Sequence, residues 1–305
     1  MNSSKKTVLL TGSSGFLGHY IKHEFEKPDY NLITLGRKNC DIIMDLSKGV
    51  PNLPENIDFV IHAAGKAHMV PKSEAEVLSF FETNDKGTLN LLEAIKSSQA
   101  NVKSIIFISS VAVYGMSQGV EISEDDQLLA TDPYGKSKIL AEIAIKKFCE
   151  EQDIQCCILR LPLIAGKNAP GNLGAMIKAI TEGWYVSIGN ANVKKSIVMA
   201  EDIAKLIPFL FDKSGTYNLT DGYHPTFREL EDSIAKALAK KSPVKIPQTI
   251  ATVIAKAGDI IGKKFPINSL KLKKIQSELT FSDKKARKEL GWKPSKVLDK
   301  IPYIV

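Results

Sequence analysis

The sequence predicts a doubly wound α/β fold, a parallel sheet with helices on both faces and ligands gathered at the carboxyl ends of its strands. Three observations carry that expectation. Short apolar runs of strand length alternate with longer stretches of helical period through the first half of the chain. The first such run, Val8-Leu9-Leu10, is followed at once by Gly12, Gly15 and Gly18. A later run closes on Ser109-Ser110, shortly before a helix opened by Asp132-Pro133 that carries Tyr134 and Lys138 on one face.

Residues 7–18 read TVLLTGSSGFLG, a strand, a tight turn and a helix start. Gly12 can take a backbone angle that other residues resist. Gly15 lets a bulky anion approach the main chain, and Gly18 lets the new helix sit close on the sheet. The free N–H groups and positive dipole end of that helix favour a pyrophosphate, which makes Gly12, Gly15, Phe16, Leu17 and Gly18 candidate cofactor contacts. A glycine-rich turn without a ligand is the competing reading, and the position straight after one short strand weighs against it.

The elements follow in order. Phe16, Leu17, Tyr20, Ile21 and Phe25 form a helical stripe. His19 and His23 lie one turn apart on the same helix, but no third ligand is near and they read as solvated. The next strand, 31–35, ends in Gly36-Arg37-Lys38. Dinucleotide folds that prefer NAD usually end this strand in an acid that bonds the ribose 2′-hydroxyl, whereas an arginine accepts the 2′-phosphate of NADP, so Arg37 leans towards NADP. A short strand over 42–45 closes on Asp45-Leu46. Another over 58–62 ends in Ala63-Ala64-Gly65, whose small side chains let a cofactor lie flat against the backbone. Lys66 can then meet a phosphate or ribose, and His68 reads as a loop residue. A long helix is predicted over 74–98, with Asn84 and Gly87-Thr88 facing a close neighbour, and a strand over 105–108.

Two strand ends carry the chemistry. Tyr134 and Lys138 are four apart, so the ammonium can sit near the phenol and lower a pKa that is about 10 when unperturbed. The tyrosine then works as acid or base near neutral pH. Ser110 supplies a hydroxyl that holds the substrate oxygen between itself and Tyr134.

Composition narrows the class. The 305 residues are 44% hydrophobic and 25% charged, ordinary for a globular protein and enough for a sizeable core. No stretch has the apolar length of a membrane span and residues 1–6 are polar, so a cytoplasmic protein is expected. Cys40, Cys149, Cys156 and Cys157 have no metal spacing and read as reduced thiols. The net charge of +7 suits an anionic substrate or a generic basic surface; no nucleic-acid-binding motif accompanies it.

Assembled, these residues resemble the extended short-chain dehydrogenases/reductases, and within them the NAD-dependent epimerase/dehydratase family that modifies nucleotide sugars. The resemblance runs over about 6–294, through TGSSGFLG, the Asp45-Leu46 pair, HAAG, NDKGTLNLL, SSVAVYG and YGKSK. It implies a Rossmann-type dinucleotide-binding domain over 1–165. A smaller α/β substrate-binding domain over 166–305 follows, with segments near 190–220 returning to the Rossmann sheet. It implies NADP or NAD as cofactor, Tyr134 as acid/base, Lys138 on the nicotinamide ribose and Ser110 on the reacting oxygen. Asp45 and Leu46 would meet the adenine and Leu161 would lie beside the nicotinamide. Asn172 and Leu173 resemble the loop that holds the substrate's nucleotide. Lys195, where relatives often have arginine, and Lys273 or Lys274 would meet the diphosphate; lysine neutralises that charge without offering a bidentate fork.

In the second half helices are expected at 174–181, 202–211, 227–239 and 250–261, a short strand at 216–219 and a capped helix within 282–294. The apolar, lysine-flanked stretch 250–261 can either lie on a membrane surface or pack within the substrate domain, and packing is the favoured reading. Dehydratases of the family resemble one another in an Asp-Glu pair after the catalytic Ser/Thr; Val111 and Ala112 stand there, which speaks against dehydration. Arg37 then favours a 4-keto sugar reductase that exchanges NADPH, with a nucleotide-sugar 4-epimerase as the alternative. A cofactor-sensing regulator without chemistry would typically lose the tyrosine, the lysine or the glycine spacing, and all are present. Relatives often form homodimers through a four-helix bundle, here 74–98 and the Tyr134 helix.

Overall fold

The computed structural model describes residues 5–67, 71–189, 191–261 and 269–305; His68 lies outside them. In the first half strands and helices alternate. β1 (Lys6–Thr11) leads into α1 (Phe16–Phe25), then β2 (Tyr30–Gly36), the two-residue β3 (Ile42–Ile43) and β4 (Phe59–His62). α2 (Glu74–Phe80) and α3 (Gly87–Ser97) are separated by a π-helical turn, Phe81–Lys86, where one unbroken helix was expected. β5 (Ser104–Ser110), β6 (Gly119–Ile122), the long α4 (Pro133–Glu151) and β7 (Gln155–Leu161) complete this half.

The second half is less regular. It holds β8 (Leu163–Ala165), α5 (Gly171–Glu182), β9 (Val186–Ile188), β10 (Ile197–Met199), α6 (Ala200–Leu206) and β11 (Gly215–Asn218). α7 (Phe227–Ala237), β12 (Val244–Ile246), α8 (Gln248–Ile261), α9 (Ser269–Gln276), β13 (Leu279–Phe281), α10 (Lys284–Leu290) and α11 (Val297–Ile304) follow. The helix expected over 202–211 stops early because Pro208 brings no N–H to continue it, and a 3₁₀ turn, Ile207–Leu210, takes over.

Seven strands pair in one parallel sheet, in the order β11-β7-β5-β4-β1-β2-β3. The chain runs outward from β1 to β3 and then crosses back to β4, so the strand order reverses between β1 and β4. At such a reversal the connecting segments diverge to opposite faces and leave a crevice at the strand ends. Register places Thr11 beside both Leu35 and His62 at that edge.

Alternate residues of the strands enter opposite cores. Val8, Leu10, Ile61 and Ile106 pack with Leu17, Ile21 and Phe25 of α1 and with Ile203 of α6. Leu9, Val60, Ile105 and Phe107 pack on the other face with Leu91 and Ile95 of α3 and Ile145 of α4. Each such side chain stabilises the fold by about 1.5–3 kcal/mol on burial, so both faces hold the sheet and its carboxyl edge in place.

Three further pairs of short parallel strands, β8 with β10, β9 with β12 and β6 with β13, lie outside the main sheet. Three or four residues give no period to read, so none of these was expected from sequence. The four cysteines are free thiols, and no described helix is long and apolar enough to cross a membrane.

Candidate active site

The turn after β1 has the geometry the glycines suggested. Gly12 has φ +76°, and a Cβ there would fall 2.6 Å from the Ala64 nitrogen. A Cβ on Gly18 would fall 2.0 Å from the Gly12 carbonyl oxygen, so the first turn of α1 rests directly on the loop backbone. The Gly15 N–H donates to the Gly12 carbonyl oxygen at 2.9 Å, and Gly15 begins α1 with no side-chain cap. The orphan N–H groups of the first helical turn therefore face the crevice beyond β1, where the helix dipole adds positive potential. That donor set, with no side chain over it, fits a dinucleotide diphosphate.

Beneath the crevice a buried relay ties three elements together. Thr88 Oγ1 donates to the Asn84 carbonyl at 2.6 Å, so it accepts from His62 Nε2 at 2.9 Å. That fixes the Nε2–H tautomer and leaves His62 Nδ1 to accept from Thr11 Oγ1 at 2.7 Å, while Thr11 Oγ1 accepts from the Ala64 N–H at 3.1 Å. Burial, helped by the charge of Lys138, holds the His62 pKa down to about 3, so the ring stays neutral. The carboxyl ends of β1 and β4 are thereby locked to α3.

Asn84, at the centre of the π-helical turn, accepts from the Lys66 N–H at 2.6 Å and donates to the Lys66 carbonyl at 3.0 Å and to Ser137 Oγ at 2.9 Å. The wider turn delivers one side chain to both the Gly65-Lys66 loop and α4. The Lys66 ammonium donates to Ser79 Oγ.

α4 begins where the sequence places it: Asp132 accepts from the Gly135 N–H at 3.0 Å, with Pro133 in the first turn. Gly135 is required there, because a Cβ would meet the Ala112 carbonyl oxygen at 2.7 Å. Ser110 closes β5 and accepts from the Ala112 N–H at 3.2 Å, leaving its own hydrogen for the Tyr134 phenol, to which it is hydrogen-bonded.

One expectation needs correction. The Tyr134 pKa is not lowered in this structure: burial raises it, and the Ser110 hydrogen bond counteracts that. Lys138 Nζ instead donates to the Ile108 carbonyl at 2.9 Å and lies 4.5 Å from the Phe107 ring centre. The reason is reach: the lysine stem runs down to the end of β5. Burial lowers the Lys138 pKa to about 8, with Glu142 one turn further on pulling it upward. The ammonium borders Gly65, where a Cβ would stand 3.2 Å from Nζ.

A cleft of ≈ 590 Å³ brings most of the candidate residues together. Gly15, Phe16, Leu17, Gly18, Ala63, Gly65, Lys66, Ser110, Tyr134, Lys138, Leu161 and Asn172 all line it. Gly12 and Ala64 do not line it and lie against each other at the strand ends. Arg37 is exposed beyond the end of β2, and its charge is felt at Asp45, whose carboxylate accepts from the Ser47 N–H at 3.0 Å. Leu46 is buried, and its carbonyl accepts from Asn90 Nδ2 at 2.6 Å.

The remaining candidates stand apart from the cleft. The Leu173 side chain packs in the core beneath α5, so only its backbone can meet a ligand. Lys195 donates to the Ser277 carbonyl at 2.6 Å, at the end of α9, and Lys273 is exposed on that helix. The Lys274 side chain lies outside the described atoms. A second cavity of ≈ 480 Å³ is lined by Tyr185, Ile188, Asn192, Phe227, Glu231, Gln248 and Glu278 among others. His23 faces solvent beside Glu26, and no described cluster of His, Cys, Asp and Glu can hold a metal ion.

The model of the NAD dependent epimerase/dehydratase family matches residues 8–220, more than two thirds of the chain. The chain belongs to that family. A UDP-glucose 4-epimerase of Vibrio cholerae is 26% identical to it over 96% of this chain and 92% of the relative. An N-acetyl-alpha-D-glucosaminyl-diphospho-ditrans,octacis-undecaprenol 4-epimerase of Escherichia coli O157:H7 is also 26% identical, over 90% of this chain and 86% of the relative. Among solved structures, the UDP-N-acetylglucosamine 4-epimerase of Bacillus cereus superposes with a TM-score of 0.76 at 19% identity, over 98% of both chains.

In this member of the epimerase/dehydratase family, sequence reasoning missed a buried support behind the cleft. Glu142 accepts from Arg160 Nε at 3.1 Å and Nη2 at 2.8 Å, and from Ser109 Oγ at 2.5 Å. Arg160 Nη1 also donates to Tyr114 Oη at 3.0 Å, and that hydroxyl donates to Asn218 Oδ1 at 2.8 Å. The available signal was spacing, since Glu142 repeats the interval from Tyr134 to Lys138. Leu163 and Ile164, which also line the cleft, gave no local signal.

Proposed function

We propose that this chain is an NAD(P)-dependent 4-epimerase of a sugar carried on a diphosphate, in the first place a nucleotide sugar. The observation that carries the reading is the meeting of Ser110, Tyr134 and Lys138 with the Gly12–Gly15–Gly18 turn in one cleft. The 4-epimerase relatives, alignable along nearly the whole chain, favour epimerisation over the 4-keto reduction that Arg37 alone suggested.

In this reading the N-terminus of α1 would hold the cofactor's diphosphate, and Arg37, Asp45 and Leu46 its adenosine end. Ala63, Ala64 and Gly65 would form the flat wall, and Leu161 would border the nicotinamide. When bound, the cofactor would supply the acceptor and then the donor of the sugar's C4 hydride. Tyr134, as its phenolate, would take the C4 hydroxyl proton and, as the phenol, return it, while Ser110 hydrogen-bonds the same oxygen. Lys138 holds the ribose and offers a positive charge to the wall of the cleft. Val111 and Ala112 put no acid beside Ser110, so elimination of water lacks its extra acid and base.

The carrier side of the substrate belongs to the part after residue 165, with Asn172 at the cleft, the Leu173 backbone beside it, and Lys195 and Lys273 towards the second cavity. A homodimer through α2, α3 and α4 belongs to the same reading, supported by Leu78, Leu89, Leu140 and Ile143, which are exposed on those helices.

Purified protein should interconvert UDP-N-acetylglucosamine and its 4-epimer with no net change in the dinucleotide. The undecaprenyl-diphosphate-linked sugar, offered in parallel, identifies the preferred carrier. Stoichiometric NADPH oxidation with a nucleotide 4-keto sugar, and no epimer from either substrate, would replace this reading by the reductase one.

A further inference from the structure

α8 carries two apolar stripes, and only one of them is covered. Ala251, Ala255 and Gly258 are buried, with the alanines against Ile188 of β9, Ile246 of β12 and Leu272 of α9. Beside them Ile250, Val253, Ile254, Ala257 and Ile261 form a second stripe about 100° wide that faces solvent. Val253 is 68%, Ile261 60% and Ile250 49% exposed, values unusual for branched aliphatic residues on one helix face. Just ahead of α8 in the chain, Val244 of β12 is 72% exposed, while its partner in β9, Val186, lines the second cavity. Trp184, just ahead of β9, is 62% exposed.

Positive charge is concentrated in this part of the sequence. Residues 240–274 contain nine lysines and one acid, Asp259, a net of +8 against +7 for the entire chain. The basicity is therefore a local property, and the rest of the protein is close to neutral. Lys240, Lys241, Lys245 and Lys256 are exposed, Lys245 in β12 and Lys256 on α8 itself. Asp259 is occupied, accepting from the Ser269 N–H at 3.0 Å and from its hydroxyl at 2.5 Å.

We propose that this face of α8, with Val244 and Trp184, docks on an anionic lipid bilayer. An apolar helical stripe bordered by lysines and an exposed tryptophan has the composition of an interfacial helix lying in the headgroup plane. The stripe is a convex ridge, which a bilayer accepts without a matching groove. A second copy of the chain would bring an equally basic surface against it, and Coulomb repulsion opposes that pairing. Since no described helix can cross a bilayer, attachment is peripheral. The inference is independent of which reaction the cleft performs.

The full chain should sediment with vesicles of phosphatidylglycerol and phosphatidylcholine, and not with phosphatidylcholine alone. Raised salt should weaken the binding, and replacing Lys240 or Lys241 by Gln should cost about fivefold in partitioning for each charge. Val253→Asp, at an exposed position, should lower partitioning by about tenfold or more while leaving the melting temperature unchanged. Absence of co-sedimentation with anionic vesicles overturns the proposal, and so does vesicle binding that Val253→Asp leaves intact. If Val253→Asp instead turns a vesicle-free dimer into a monomer, the stripe is a self-association face and the proposal is wrong.

Discussion

Asn84 Nδ2 and Ser137 Oγ are joined by a 2.9 Å hydrogen bond between the π-helical turn and α4. Ser137 in turn donates to the Tyr134 carbonyl at 2.8 Å, so the bond couples the Gly65-Lys66 loop to the backbone of the tyrosine. Asn84→Ala removes this bond and both bonds to Lys66 inside a buried site. The expected cost is about 2–3 kcal/mol of stability, because buried donors and acceptors lose their partners. Thermal unfolding should register it as a lower midpoint, together with reduced turnover. An unchanged melting curve would remove Asn84 from the support of the site.

Tyr134→Phe keeps the ring and deletes the hydroxyl bonded to Ser110. Turnover should fall by about 10²–10⁴-fold, the usual range for loss of a general acid/base, with dinucleotide affinity and unfolding nearly unchanged. A variant that keeps its turnover would exclude the phenol from proton transfer.

Lys138 imposes a pH dependence. Its folded pKa of about 8 lies below the ordinary 10.5, so its charge is half lost at about pH 8 and disappears as pH rises further. Dinucleotide affinity should weaken as pH rises through that value. Stability should move oppositely: between about pH 8 and 10.5 the unfolded chain binds more protons than the folded one, so Lys138 adds a positive slope there. Lys138→Met should abolish both effects. Persistence of the stability slope in that variant would assign it to another group.

Glu142 and Arg160 form an ion pair buried on both sides. Glu142→Leu leaves an uncompensated guanidinium and should cost about 3–5 kcal/mol in chemical unfolding. The double variant Glu142→Leu/Arg160→Met should recover much of that loss, because neither charge remains to be desolvated. A double variant no more stable than the single would show that the surrounding hydrogen bonds to Ser109 and Tyr114 dominate.

The charge balance illustrates a limit of composition. A value of +7 reads as a generic basic surface until nine lysines and one acid are counted within residues 240–274, the stretch that contains α8. The helix at 250–261 was legible, and so was its amphipathic pattern. Which stripe is covered was not, because Ala251 and Ile250 differ only in what the β9–β12 ribbon and α9 bring against them.

By itself, the sequence determined the features that local chemistry enforces. Periodicity marked most of the long elements, Gly12 demanded a left-handed turn that other residues resist, and Asp132-Pro133 started α4. These depend on backbone sterics and on neighbours three or four residues away, which the order of residues contains. Only the tertiary structure decided that Lys138 bonds the Ile108 carbonyl while burial raises the Tyr134 pKa. Tertiary structure likewise set the His62 tautomer by a relay from Thr11 to Thr88, and placed Glu142 against Arg160. Those outcomes depend on desolvation and on partners far apart in the chain, and both arise when the sheet closes and its carboxyl edge gathers them.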